Sequence, residues 1–185
     1  DYDDLAMMAR MIQSGPQEYA SADYVQTNNI NCTEQEWALT IGTEDVPFAG
    51  TYEGNDYYIL SLHQSRGKIG GLFGVIAERG VVRNLSVIDL DCAGQADTVG
   101  GLAGINRGMI IGCGSGVNLH SEATIFRDGE LVTLSSLNSQ VNGIAYAGGL
   151  VGCNQGIIQD SRSNAAVCGK TAGGIAGKNT GTIRN

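Results

Sequence analysis

Apolar and small residues recur along the second half of the chain in one phrase that is written four times. It reads GGLFGVIAERGVVRNL from Gly70, GGLAGINRGMIIGC from Gly100, GGLVGCNQGIIQDS from Gly148 and GGIAGKNTGTIRN from Gly173. The second glycines, Gly71, Gly101, Gly149 and Gly174, lie 30, 48 and 25 residues apart. Periods of roughly 20–50 residues belong to architectures that stack copies of one unit. A unit of about 25 residues can supply one coil of a β-solenoid, whereas a propeller blade needs about 40–45. Helical repeats are disfavoured, because each interior glycine costs about 1 kcal/mol in a helix.

Superposing the phrases gives rows that run along the stack. Leu72, Leu102, Leu150 and Ile175 form one inward row, and Val82, Ile110, Ile158 and Ile183 another. Asn106, Asn154 and Asn179 form a polar row, expected to hydrogen-bond from coil to coil as stacked amides do. The first copy has Ala77 or Glu78 at that place, so the row starts with the second copy. Coils about 4.8 Å apart need sharp corners, and the glycines supply backbone conformations closed to other residues.

These residues resemble the GLUG repeat, named for a Gly-Leu-any-Gly core. It occurs in bacterial surface proteins, including adhesin-like proteins and some immunoglobulin A peptidases. The resemblance covers residues 70 to 185 apart from an insertion. It implies an all-β fold, a right-handed parallel β-helix (β-solenoid), in a secreted or cell-surface, extracellular protein.

The interval of 48 residues leaves room for roughly 20 beyond one coil of the usual length. Within Ala123–Leu134, ATIFRDGELVTL, two β-prone runs flank Asp128-Gly129, a strong hairpin signal. An excursion from about residue 120 to 142 is expected there. It reads either as a tolerated surface insertion or as a partner-binding projection that offers Arg127, Asp128 and Glu130.

Residues 1–69 read as an N-terminal cap helix and first coils. Leu5, Met8, Ala9 and Ile12 share a helical face, acids open the helix, and Gly15-Pro16 ends it. Such a helix suits the raw end of a solenoid. Phe48 to Ile59 reads as strand, turn and strand, with the turn at Gly54-Asn55. It resembles the opening region before such repeats in related bacterial β-helix proteins, with Glu53 and Asp56 departing from that region's Asp and last Gly. Trp37 and the tyrosines either pack the coils or form a sugar-stacking platform.

Composition fits one continuous domain of 185 residues, with 42% hydrophobic residues and a mean hydropathy of −0.05. No apolar stretch approaches the roughly 18 residues of a membrane span. No signal peptide is recognisable, and the last repeat is uncapped. The expectation is a fragment of a larger protein with further repeats or domains. A net charge of −8 argues against a nucleic-acid groove and against attraction to anionic lipid, and no membrane insertion by this segment is expected.

The five cysteines, Cys32, Cys92, Cys113, Cys153 and Cys168, include no Cys-x-x-Cys pair. Cys113 falls in the row of Leu85 and Ser161, an inward position. The set reads as free buried thiols, or as one or two disulfides with a thiol left over.

Signals for catalysis are sparse. There is no His-Glu-x-x-His, no Gly-x-Ser-x-Gly elbow and no phosphate loop. Calcium-loop motifs are absent too, and His63 and His120 are the two histidines. No catalytic residue, cofactor or metal is assigned. The best acidic constellation is Asp89 and Asp91 in VIDLDC. Read as one strand, it points Ile88, Leu90 and Cys92 inward and both acids outward. Hydrolysis would need a second acid or base and a cleft. Equivalent coils offer Val117 or Asn118, and Ala165 or Ala166, so no acidic stripe continues. The acids read as a solvated strand face or as contacts for a ligand.

The resulting expectation is a non-catalytic β-solenoid segment of a bacterial surface or secreted protein, for adhesion or for presenting loops to a host protein or glycan. The alternatives are an accessory or stalk domain of a large immunoglobulin-A-type peptidase, a carbohydrate-active β-helix enzyme using Asp89 and Asp91, and a structural spacer.

Overall fold

The computed structural model describes residues 1–185 except Glu34, Arg66, Gly94, Gln95, 117–123, 128–129 and 134–138. The chain winds through about five turns of a parallel β-solenoid behind one N-terminal helix. Each full turn crosses five walls. The first wall stacks Tyr24–Val25, Thr51–Glu53, Val81–Arg83, Met109–Ile111, Ile157–Gln159 and Thr182–Arg184. The second stacks Ile30–Asn31, Tyr58–Leu60, Ser86–Ile88, Gly114–Ser115 and Arg162–Ser163. The third contains Asp91–Ala93, Gln140–Asn142 and Ala166–Cys168. The repeated phrase forms the fourth and fifth walls: a strand ending at its first glycine, a corner, then the strands Phe73–Ile76, Ala103–Asn106, Val151–Asn154 and Ala176–Asn179.

The strand register confirms the rows read from the sequence. Val82, Ile110, Ile158 and Ile183 are successive partners. Leu72, Leu102 and Leu150 are fully buried. Asn106 and Asn154 are also fully buried and donate upward, Asn106 to Asn154 Oδ1 at 2.8 Å and Asn154 to Asn179 Oδ1 at 2.7 Å. The residue below Asn106 is Ile76 rather than Ala77 or Glu78. The turn after Ile76 is two residues longer than the one after Asn106, and this shifts the first copy's alignment. Close stacking explains the glycine corners: a Cβ on Gly101 would lie 2.5 Å from the Gly149 carbonyl oxygen.

The helix Tyr2–Ser14 is fixed by a capping box between Asp1 and Asp4. It buries Leu5, Ala6, Ala9 and Ile12 in the core, with Met8 partly buried beside them. Gln13 donates to the Thr40 carbonyl at 2.6 Å, and the Tyr2 hydroxyl to the Glu36 carbonyl at 3.0 Å. Both bonds tie the helix to the first coil. Trp37 is buried under it, edge-on to Tyr2, and Phe48, Tyr52 and Phe73 form an aromatic cluster in the core. Trp37 and Tyr52 are therefore packing residues rather than a sugar platform. The Gly54-Asn55 turn is a solenoid corner between walls, and both Asn55 and Asp56 adopt left-handed backbone there. All five cysteines are free; Cys32, Cys92, Cys113 and Cys153 are buried and Cys168 is exposed.

Two further readings change. Thr124–Arg127 and Glu130–Thr133 do pair as an antiparallel hairpin. Gln140–Asn142, however, is a strand of the third wall, paired to Asp91–Ala93 and Ala166–Cys168, so the excursion ends before Gln140. Asp89 and Asp91 do not share one strand either. The second wall stops at Ile88, Asp89 turns the corner with a φ of 52°, and the third wall starts at Asp91.

Candidate functional site

The corner between the second and third walls is built from a short repeated pattern. Ser61-Leu62-His63 in one coil stacks under Asp89-Leu90-Asp91 in the next. Leu62 and Leu90 are fully buried and plug the corner from inside. The flanking residues must then lie outside. Ser61 and Asp89 both take left-handed backbone, with φ of 56° and 52°. Asp tolerates that region better than most side chains. The Ser61 hydroxyl, in the coil below, donates to Asp89 Oδ2 at 2.7 Å. Backbone bonds lock the two corners together: Ser61 N–H to the Ile88 carbonyl at 2.9 Å, and Asp91 N–H to the Leu62 carbonyl at 2.8 Å.

Outside, Glu36, His63 and Asp91 stack as successive bridge partners. His63 Nδ1 faces Asp91 Oδ2 at 3.5 Å, with the two side chains 52% and 48% exposed. Asp91 Oδ1 is shielded from solvent and has no hydrogen-bond partner among the described residues. The Ser65 hydroxyl donates to Glu36 Oε1. Glu36, Ser61, His63, Asp89 and Asp91 line a groove of about 420 Å³ together with Thr33 and Gln35. The described part of its lining holds three carboxylates and one imidazole. Carboxylates there accept hydrogen bonds from hydroxyl or amine groups.

The excursion leaves the solenoid at this same corner. Ser115 stacks on Val87 and Gln140 on Asp91, so the chain has 24 residues between these two points where the coil below has only Ile88, Asp89 and Leu90. Its returning end is tied down there. The Leu90 N–H donates to the Ser139 hydroxyl at 3.2 Å, and Gln140 N–H donates to the Leu90 carbonyl at 2.8 Å.

Of the candidate residues, the structure brings Asp89 and Asp91 into one groove. Arg127 and Glu130 are register partners across the hairpin, and Asp128 lies outside the described residues. Sequence reasoning missed Ser61, His63 and Glu36. The signal was present: Ser61-Leu62-His63 precedes Asp89-Leu90-Asp91 by 28 residues, close to one coil. In the next coil the excursion interrupts this corner, so the pattern does not recur there.

No protein-family model and no solved structure matches this chain. Over 127 residues it is 36% identical to a protein of Evansella cellulosilytica named "Putative Gly-rich membrane protein". The match takes in 62% of this chain and 15% of that protein, so the chain spans a small part of its relative.

Proposed function

We propose that this chain is a GLUG-type β-solenoid segment of a bacterial secreted or cell-surface protein, and that it presents the corner groove to a glycan or host-protein ligand. One observation carries the reading. The two features that break the repeat, the acidic pair and the excursion, converge on one corner, while the repeating residues are used in stacking. The printed name of the Evansella cellulosilytica relative, with its membrane and glycine-rich terms, supports a surface scaffold. The reading is non-catalytic, with host contact made through the groove and the adjoining excursion.

Glycan and host-protein arrays test it. The wild type is screened beside Asp89→Asn/Asp91→Asn and beside a chain lacking residues 118–138. That deletion leaves Gly116-Val117-Ser139 between Ser115 and Gln140, the same corner length as Ile88-Asp89-Leu90. The proposal expects hits that the double substitution weakens at least about tenfold, a difference of about 1.4 kcal/mol. Hits that ignore both variants would overturn the assignment, and a blank array would leave a structural spacer. Turnover of a bound glycan would instead favour the enzymatic alternative that uses Asp89 and Asp91, with His63 Nδ1 lying 3.5 Å from Asp91.

A further inference from the structure

A second groove lies at the N-terminal end of the solenoid, between the helix and the first coil. Its volume is about 340 Å³, and Met7, Met8 and Met11 of the helix face Tyr24, Val25 and Ile30 across it. Three of the chain's four methionines are therefore gathered on one wall. Methionine is unbranched and polarizable, and it adapts to varied apolar partners. Met7 and Val25 are 54% and 61% exposed, two of the most exposed large apolar residues described.

The floor of this groove is an open strand edge. Tyr24–Val25 is the terminal strand of the first wall and pairs only with Thr51–Glu53. The Gln26 N–H donates to the Glu53 carbonyl at 2.8 Å, which fixes the phase of the ladder. In a parallel pair with that phase, Tyr24 and Gln26 bond to Glu53, and the N–H and C=O of Val25 point to the other side. The free donor and acceptor therefore belong to the residue that lines the groove. Asp1 and Asp4 stand on its rim, no Lys, Arg or His is among its described lining residues, and the amino group of Asp1 meets Asp4 at 2.9 Å.

We propose that this groove accepts an extended peptide segment, apolar at alternate positions and carrying Lys or Arg, that adds as a strand to the Val25 edge. Backbone pairing supplies the contact that any sequence can make, and alternate side chains read the wall. The methionine wall takes the apolar positions, and the acidic rim takes the cationic ones. Helix insertion is disfavoured, because a helix satisfies its own backbone and would leave Val25 unpaired. The site is separate from the corner groove and stands or falls without it.

The test uses the 185-residue protein and an acetylated, fluorescent Lys-Val-Thr-Val-Thr-Lys peptide, read by anisotropy. Three comparisons accompany it: the same peptide N-methylated at alternate residues, a peptide with Glu in place of Lys, and the Val25→Pro protein. Proline at an edge position removes the outward N–H without touching the bonds to Glu53. Met7→Gln, at an exposed helix position, is a second variant that leaves the Val25 edge unchanged. The expected result is saturable binding, weakened at least about tenfold by N-methylation and by Val25→Pro, and severalfold by Met7→Gln and by the Glu peptide. No binding up to about 1 mM overturns the proposal. Equal binding of the N-methylated peptide overturns it too, as does sedimentation showing that a second copy of the chain fills the groove.

Discussion

The Ser139 hydroxyl accepts the Leu90 amide proton at 3.2 Å, so the returning end of the excursion is tied to the residue between Asp89 and Asp91. Both groups are buried. Insertion and acidic corner are therefore one structural unit, although 49 residues separate them in sequence.

Removing that hydroxyl tests the coupling. Ser139→Ala leaves the Leu90 N–H buried and unpaired, which costs about 1–3 kcal/mol. Urea unfolding is expected to show a lower midpoint with an unchanged slope. An unchanged midpoint would mean that the bond contributes nothing.

The asparagine ladder makes a graded prediction. Asn154→Ala removes the acceptor of Asn106 and the donor to Asn179, and leaves the buried Asn106 amide only its longer bonds to the Ile157 and Gly108 carbonyls. A loss of about 1–3 kcal/mol is expected from the two lost rungs. Asn179→Ala, at the exposed end of the row, should cost less than about 1 kcal/mol. Equal costs in thermal unfolding would contradict a cooperative ladder.

Glu53 makes the stability pH-dependent. Burial acts to raise its carboxyl, but hydrogen bonds from Asn55 N–H and the Asn84 amide, with the Arg83 guanidinium, outweigh it and hold the group below its ordinary value. A lowered folded value means that this contribution is complete above the unfolded glutamate value of about 4.3. It is lost as the pH falls through the folded value. Glu53→Gln should therefore be less stable than wild type at neutral pH, and the two curves should converge on acidification below about 4.3. Parallel curves would show that Glu53 titrates alike in both states.

Thiol reactivity reports the interior. Burial pushes Cys32, Cys92 and Cys113 up to about 12, so at pH 8 their thiolates are scarce as well as shielded. Of the five cysteines, only Cys168 is exposed. A disulfide-exchange reagent should titrate one thiol rapidly in the native protein and five in denaturant. Two or more fast thiols would indicate that coils open readily.

Much of the fold was legible because stacking repeats its demands. Gly101 must be glycine against the Gly149 carbonyl, Leu102 must fill the interior, and Asn106 must meet Asn154, so each coil writes the same phrase. The helix was legible from its apolar face and its acidic start. The corner was less so. Asp89 reads as a strand residue by alternation, because Ile88 and Leu90 are both apolar, yet its left-handed backbone separates two walls. His63 looked isolated because its partner Asp91 is one coil away, and a lone histidine carries no spacing signal until the period is applied to it. The end of the excursion was misjudged for a related reason. Gln140–Asn142 lacks the glycine phrase and is recognised only by pairing with Asp91–Ala93.

The central claim is that ligand recognition belongs to the corner and stacking to the repeats. Amide chemical-shift mapping with an array hit tests it most directly. The account predicts shifts at Ser61, His63, Asp89 and Asp91, with none along Ile157–Gln159 or Thr182–Arg184. Shifts centred on those repeat strands, with the corner silent, would contradict it.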